Sequence, residues 1–360
     1  MPFNNALKYI KRLYTEFMVR IYDNPPKIFG FLGFIILSTL PFMMETSVLR
    51  IFTTANILAI YALSWDLLVG RTGQISLGHA LFYGAGAYGS ALLYKYLQWP
   101  AWLTVPISII LCAMIAIVIG IPALRVKGPY LALLTFSFPL AFEGFTHYYS
   151  DIFGGDTGIR PIPKFYSGLG YSQVLIANYY FALILMAISA IIIYKIATST
   201  TGITFISILD DELASKACGI NVTKYKLMSF MLSGMFGGLA GAVYAHLIEG
   251  RVDPHFISTT LSIFPIIVTV IGGLGSLYGP IIGTYIYNLL DQYVFISIIP
   301  LDPSVRIVVY VAIVVFLIIK WPRGIARVIV EKLEDLQEPR EIEEILKGKK
   351  EKLVKTHASA

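Results

Sequence analysis

Three carboxylates fall inside strongly apolar stretches, Asp66, Glu143 and Asp291, and these are the side chains with which the chain could pass a cation or a proton. Charge inside a membrane span is costly and therefore marks ion pathways and relays. Asp66 falls near the inner end of its stretch and Glu143 near the outer end of its own; only Asp291 sits moderately deep, and no facing Asp–Arg or Glu–His pair is identified. The histidines (His79, His147, His246, His255, His357) lack metal-ligand spacing, so no metal site is expected. Cys112 lies in an apolar stretch and Cys218 in a polar one, so no structural disulfide is expected either. There is no Gly-x-x-x-x-Gly-Lys-Ser/Thr phosphate loop, no Ser/His/Asp set and no paired carboxylates. The chain is thus expected to be no enzyme and to bind no cofactor; any energy for its work must come from a partner. One acidic cluster remains, Asp210-Asp211-Glu212, in a polar segment.

The elements that must position these residues are membrane helices. The 360 residues are 56% hydrophobic and 14% charged, with a mean hydropathy of +0.72. Soluble domains carry about 25% charged residues, and only a bilayer can cover so much apolar surface. Stretches near the roughly 20 residues needed to cross the hydrocarbon fall at 28–44, 48–69, 75–97, 101–121, 129–147, 177–198, 226–248, 258–278, 280–299 and 303–320. With the N-terminus in the cytoplasm and alternating spans, 22 of the 28 Lys and Arg fall inside and 6 outside, as the positive-inside rule demands. The expectation is an all-α polytopic transmembrane bundle of about ten spans with both termini cytoplasmic. Residues 1–27 form a basic segment without a cleavage site, 28–321 the membrane domain, and 322–360 a charged tail whose i,i+4 pairs fit an exposed helix. An external loop covers 148–176 and an internal one 199–225. The basic residues sit at span ends, so the charge of +6 points to a membrane and not to nucleic acid.

Small residues recur every four positions where helices must pack closely in lipid. The stripes are Ser76, Ala80 and Gly84; Gly234, Gly238 and Ala242, beside Gly237, Gly241 and Ala245; and Gly275, Gly279 and Gly283. Gly84-Ala85-Gly86-Ala87-Tyr88 and Gly238-Leu239-Ala240-Gly241-Ala242-Val243-Tyr244 resemble each other, as do Gly128-Pro129 and Gly279-Pro280, which hints at an internal repeat of the kind found in transporters. Gly272-Gly273-Leu274-Gly275 reads as a broken helix, which persists only where protein or water covers the freed backbone. Together with Gly73, Gln74, Ser76 and Gly78, the residues Gly272, Gly273 and Gly275 are the candidate substrate path.

In the internal loop, Ser207 to Cys218 is expected to form a short amphipathic helix, with Asp210, Asp211 and Glu212 in its first turns and Gly219 as its cap. An acidic helix is repelled by an anionic leaflet and suits a groove in another protein.

Four segments resemble the membrane permease subunits of ABC importers for branched-chain amino acids. They are Gly73-Gln74-Ile75-Ser76-Leu77-Gly78-His79-Ala80 through Tyr88; Gly154-Gly155-Asp156-Thr157-Gly158-Ile159; Asp211-Glu212 through Gly219-Ile220-Asn221 and Lys224-Tyr225-Lys226; and Ile271-Gly272-Gly273-Leu274-Gly275-Ser276-Leu277-Tyr278-Gly279-Pro280 followed by Trp321-Pro322-Arg323-Gly324. The resemblance implies a homologous second permease subunit (or a homodimer), two cytoplasmic ATP-binding subunits that carry ATP and Mg, and an extracytoplasmic solute-binding protein. It also implies a cell-membrane location and a coupling role for Asp210, Asp211, Glu212, Ala214 and Gly219. The family's arginines before the acidic pair are missing, since Ile203 to Leu209 holds none. An ion-coupled secondary carrier or channel for a small polar solute, using Asp291, is the alternative.

Overall fold

The computed structural model describes residues 25–42, 44–126, 128–166, 170–298, 302–320 and 324. Twelve of its helices are numbered here: α1 (Pro25–Thr39), α2 (Thr46–Thr72), α3 (Ala80–Leu97), α4 (Ala101–Ala123), α5 (Pro129–Tyr148), α6 (Tyr171–Thr198), α7 (Thr200–Asp210), α8 (Glu212–Ala217), α9 (Val222–Tyr244), α10 (Thr259–Gly272), α11 (Tyr278–Asn288) and α12 (Pro303–Lys320). Among the described residues there is no strand, and a single isolated bridge pairs Ile159 with Val252. The expectations for the basic segment 1–27, apart from its last three residues, and for the tail 322–360, apart from Gly324, lie outside the described residues.

Four described stretches of helix are long and apolar enough to cross a bilayer: Val48–Thr72, Ala101–Ala123, Tyr171–Thr198 and Val222–Glu249. Several expected spans are corrected. The stretch 75–97 becomes helical only at Ala80, because Gly73 closes α2 in the left-handed region (φ 67°) and the chain runs non-helically to His79. The stretch 258–278 stops at Gly272, where Gly273 (φ 120°) turns the chain, and the helix resumes at Tyr278. The stretch 280–299 is α11 followed by π-helical turns over Leu289–Ile298.

The core forms around α2 and α9. α9 packs on α2, α3 and α4, while α2 also packs on α6, α10 and α11. α2 is buried along most of its length: Ile57, Ile60, Tyr61, Leu63 and Leu67 are among the most buried side chains, and Asn56, Ser64 and Asp66 are buried with them. The outer helices instead turn apolar faces outward, Ile110, Met114, Val118 and Ile121 on α4 and Ile184, Ile188 and Ile191 on α6. That inversion of the soluble pattern fits lipid as solvent. In lipid, close backbone approach must replace hydrophobic collapse, and the glycine stripes provide it. A Cβ on Gly86 would overlap the Gly238 backbone, and one on Gly241 the Tyr83 carbonyl, so the two segments that resemble each other in sequence are packed face to face. On the other side of the bundle, a Cβ on Gly272 would overlap the Gly279 carbonyl, and one on Gly283 the Val268 carbonyl. Ala80 is fully buried, and Gly84 abuts Ile257 of a 3-10 turn, Pro254–Ile257.

The far end of α9 continues into a π turn, Ala245–Glu249. His246 there is buried, with Nδ1 2.6 Å from the Pro163 carbonyl and Nε2 2.6 Å from Ser90 Oγ. Ile159 and Val252 exchange backbone hydrogen bonds of 2.8 and 3.1 Å, and Ile162 N donates to Gly250 O. The loop 148–166 is thereby sewn to the end of α9.

The expectation that no Asp faces an Arg is also corrected. Arg306 of α12 lies 3.1 Å from Asp291 in the π-helical segment, and Tyr310 OH donates to the same carboxylate oxygen. Their spacing of fifteen residues spans a helix reversal, which one sequence does not reveal.

Candidate functional site at the inner end of α2

The acidic segment folds as a corner and not as one helix. α7 starts on Ser199, whose side chain accepts from Gly202 N, and buries Phe205 and Ile208. It ends at Asp210. Asp211 is extended (φ −153°, ψ 109°) and its Oδ1 accepts from Leu213 N at 2.8 Å and Ala214 N at 3.0 Å, which starts α8. The expected single helix over Ser207 to Cys218 is therefore broken at Asp211, because an aspartate offers its carboxylate to the orphan amides of a new first turn. Asp210 sits at the end of α7, not in a first turn. Gly219 N donates to Lys216 O and Ile220 N to Ser215 O, closing α8 one residue past its cap Cys218. Ser215 Oγ donates to the Ser207 carbonyl at 2.9 Å and fastens α8 onto α7.

Glu212 ties the corner to the bundle. Its Oε1 takes Lys216 Nζ at 2.8 Å and its Oε2 takes Lys226 Nζ, from α9, at 2.7 Å. The Lys216 and Lys226 hydrogen bonds hold its carboxyl down to about 2. Leu213 projects outward from α8, 73% exposed, and Ala214 is exposed beside it.

Both helix breaks meet this corner at the end of α2. A Cβ on Gly73 would lie 2.8 Å from Leu209 Cδ1 of α7. Gln74 is buried, and its Nε2 donates to Thr72 Oγ1 and Ser229 Oγ, each at 2.8 Å. The Ser76 carbonyl accepts from Trp65 Nε1 at 2.8 Å, and a Cβ on Gly78 would overlap the Thr135 carbonyl. In the second break, Gly275 N donates to Asp66 Oδ1 at 2.7 Å, and Ser276 Oγ donates to the Gly273 carbonyl. A Cβ on Gly70 would fall 2.5 Å from Asp66 Oδ1 and 2.8 Å from Gly275 N; one on Gly324 would overlap Gly273. The structure thus gathers Gly73, Gln74, Ser76, Gly78, Gly272, Gly273 and Gly275 around the last turns of α2, while Gly279 and Gly283 serve the α10–α11 contact. Gln74, Ser76, Gly78, Gly272 and Gly273 are buried in packed protein, whereas Leu274 is 44% exposed. In the sequence Asp66 stands out only as a charge within an apolar stretch. Its work as acceptor for a broken helix follows from the freed amide of Gly275, and the long separation of the two hid the pairing.

A family model described as branched-chain amino acid transport system / permease component matches residues 47–319. The chain is 30% identical over 265 residues to the high-affinity branched-chain amino acid transport system permease protein LivM of Escherichia coli (strain K12), an alignment covering 67% of this chain and 62% of that protein. The chain therefore spans less than two thirds of the length of that relative. It is 23% identical over 250 residues to the probable branched-chain amino acid transport permease protein LivH of Methanocaldococcus jannaschii, covering 67% of this chain and 78% of that one. It is 23% identical over 257 residues to the ribose import permease protein RbsC of Haemophilus influenzae, covering 70% and 78%. No solved structure matches the chain.

Proposed function

This chain belongs to the branched-chain amino acid transport system permease family, and from that membership we propose that it is a membrane-spanning permease subunit of an ATP-driven ABC importer, forming half of a path for amino acids, branched-chain ones foremost. The reading places it in the cell membrane with about ten spans and both ends in the cytoplasm. It pairs with a homologous permease subunit or a second copy, receives substrate from an extracytoplasmic solute-binding protein, and is driven by two cytoplasmic ATP-binding subunits that carry ATP and Mg.

The observation that carries the proposal is the α7–α8 corner. An exposed apolar tip at Leu213 stands on a short helix that is fixed to α9 through Glu212–Lys226, and the adjoining α7 abuts the residue after α2 through Leu209 and Gly73. A docking helix must be stiff to move the helices behind it, and two ion pairs with a shared carboxylate supply that stiffness. A push on α8 then reaches both breaks, at 73–79 and 273–277, because each is bonded to the end of α2. The carrier alternative needs a deep, uncompensated charge, and Asp291 is instead neutralised by Arg306 and Tyr310.

The test is Glu212→Lys in proteoliposomes containing the complete transporter. Three cations at one corner would repel, and ATP hydrolysis should lose its stimulation by substrate-loaded binding protein while assembly persists. Unchanged stimulated hydrolysis would overturn the coupling role.

A further inference from the structure

A groove of about 690 Å³ opens on the bundle surface where α4 meets the start of α9. The two helices are antiparallel: Gly120 meets Leu227, Ala116 meets Gly234, and Cys112 meets Gly238. One end of the groove is polar, lined by Asn221, Thr223 and Lys224; the other is apolar, lined by Ile117, Leu227, Met228 and Met231. Residues 223, 227 and 231 recur at helical spacing, so the lining changes from polar to apolar over about 12 Å along the α9 axis, at 1.5 Å per residue. That is the depth profile of a leaflet, from headgroup level into acyl chain. Outside it, α4 continues with exposed Met114, Val118 and Ile121, and α12 and α6 lie elsewhere in the bundle.

The polar end is cationic and unspent. Lys224 is exposed and makes no ion pair with a described residue, whereas its neighbour Lys226 is held by Glu212. The α4–α9 register brings Arg125, exposed just beyond α4, to the same end. Glu212 has both carboxylate oxygens on other lysines, Lys216 and Lys226.

We propose that this groove binds one anionic phospholipid, with its phosphate at Lys224 and an acyl chain along Leu227, Met228 and Met231. Charge complementarity selects the headgroup, and the apolar floor requires the chain: a free phosphate would leave the floor uncovered. Its volume lies within the roughly 300–1,000 Å³ of ordinary ligand sites, and thioether side chains suit an irregular hydrocarbon guest. The headgroup position lies two residues along α9 from Lys226, the lysine that Glu212 holds.

The test is native mass spectrometry of the full-length chain purified with its accompanying subunits, titrated with phosphatidylglycerol and phosphatidylcholine. The wild type should retain one phosphatidylglycerol per chain in preference to phosphatidylcholine. Lys224→Gln should weaken phosphatidylglycerol about fivefold and leave phosphatidylcholine unchanged, Lys224→Arg should restore it, and Met231→Trp, which fills the floor, should weaken both. Glycerol phosphate should not compete. Equal retention of the two lipids by the wild type, full competition by glycerol phosphate, or cross-linking of a Met228→Cys variant to a second permease subunit would each overturn the assignment.

Discussion

Asp66→Ala tests how the second helix break is held. Asp66 is 4% exposed, and its Oδ1 accepts from Gly275 N at 2.7 Å. Truncation removes that acceptor and leaves the partly buried amide facing the backbone of Gly70. Leaving a buried donor unsatisfied costs about 1–3 kcal/mol, which is roughly 5- to 150-fold in the folded-to-unfolded ratio. The lost carboxyl volume adds a small cavity between α2 and the break, so the upper half of that range is expected. Asp66→Asn keeps an oxygen at the same place and should cost under about 1 kcal/mol, since only the charge assistance of the bond is lost. The assay is equilibrium unfolding of the purified protein in mixed micelles, read by circular dichroism, with hydrogen exchange of the 273–277 amides alongside. The alanine variant should be the less stable of the two and should expose the Gly275 amide in particular. Equal stability of the alanine and asparagine variants, with Gly275 protected in both, would refute the argument that this hydrogen bond fixes the break.

Other perturbations have definite outcomes. Gly272→Ala should prevent α10 and α11 from closing, because its Cβ would overlap the Gly279 carbonyl, a backbone atom that cannot rotate away; loss of the folded species from detergent-solubilised membranes would show it. Gly84→Leu should disrupt the packing of α3 against the Pro254–Ile257 turn, abolishing transport and lowering yield, and normal assembly would contradict it. The Glu212 carboxyl is depressed from 4.5 to about 2, so its contribution is complete above about 4.5 and is lost as pH falls through about 2. Hydrogen exchange in α8, corrected for intrinsic rate, should therefore be flat from pH 8 to 5 and rise below about 3, and Glu212→Gln should abolish that rise.

Much of this architecture was legible in the residues, and the failures have physical reasons. Hydropathy found the apolar stretches, because the cost of a polar backbone in lipid leaves few options. It misplaced ends where glycine ended a helix: Ala80 and Gly272 mark the true limits of segments that hydropathy alone runs together with their neighbours. Of the small residues in the stripes, Gly238 lies against Gly86 and Gly279 against Gly272, and neither Gly86 nor Gly272 belongs to a stripe, because a contact needs a small residue on both helices while a four-residue repeat marks only one. The acidic cluster reads from sequence as one helix and is two, because side-chain capping by Asp211 competes with propagation over only one residue. The meeting of Asp66 with Gly275, 209 residues apart, and of Asp291 with Arg306 depended on helix placement, which one sequence does not contain.

The double anchoring of α9 bears on how the two faces of the membrane communicate. The helix runs 23 residues, about 34 Å at 1.5 Å per residue. At one end Lys226 grips Glu212; at the other His246 and Val252 grip the loop that carries Pro163 and Ile159. A rod clamped at both ends carries a displacement along its axis without a chain of intermediate switches. The α-helical coil gives way to a wider π turn at Ala245–Glu249, between the rod and its second clamp.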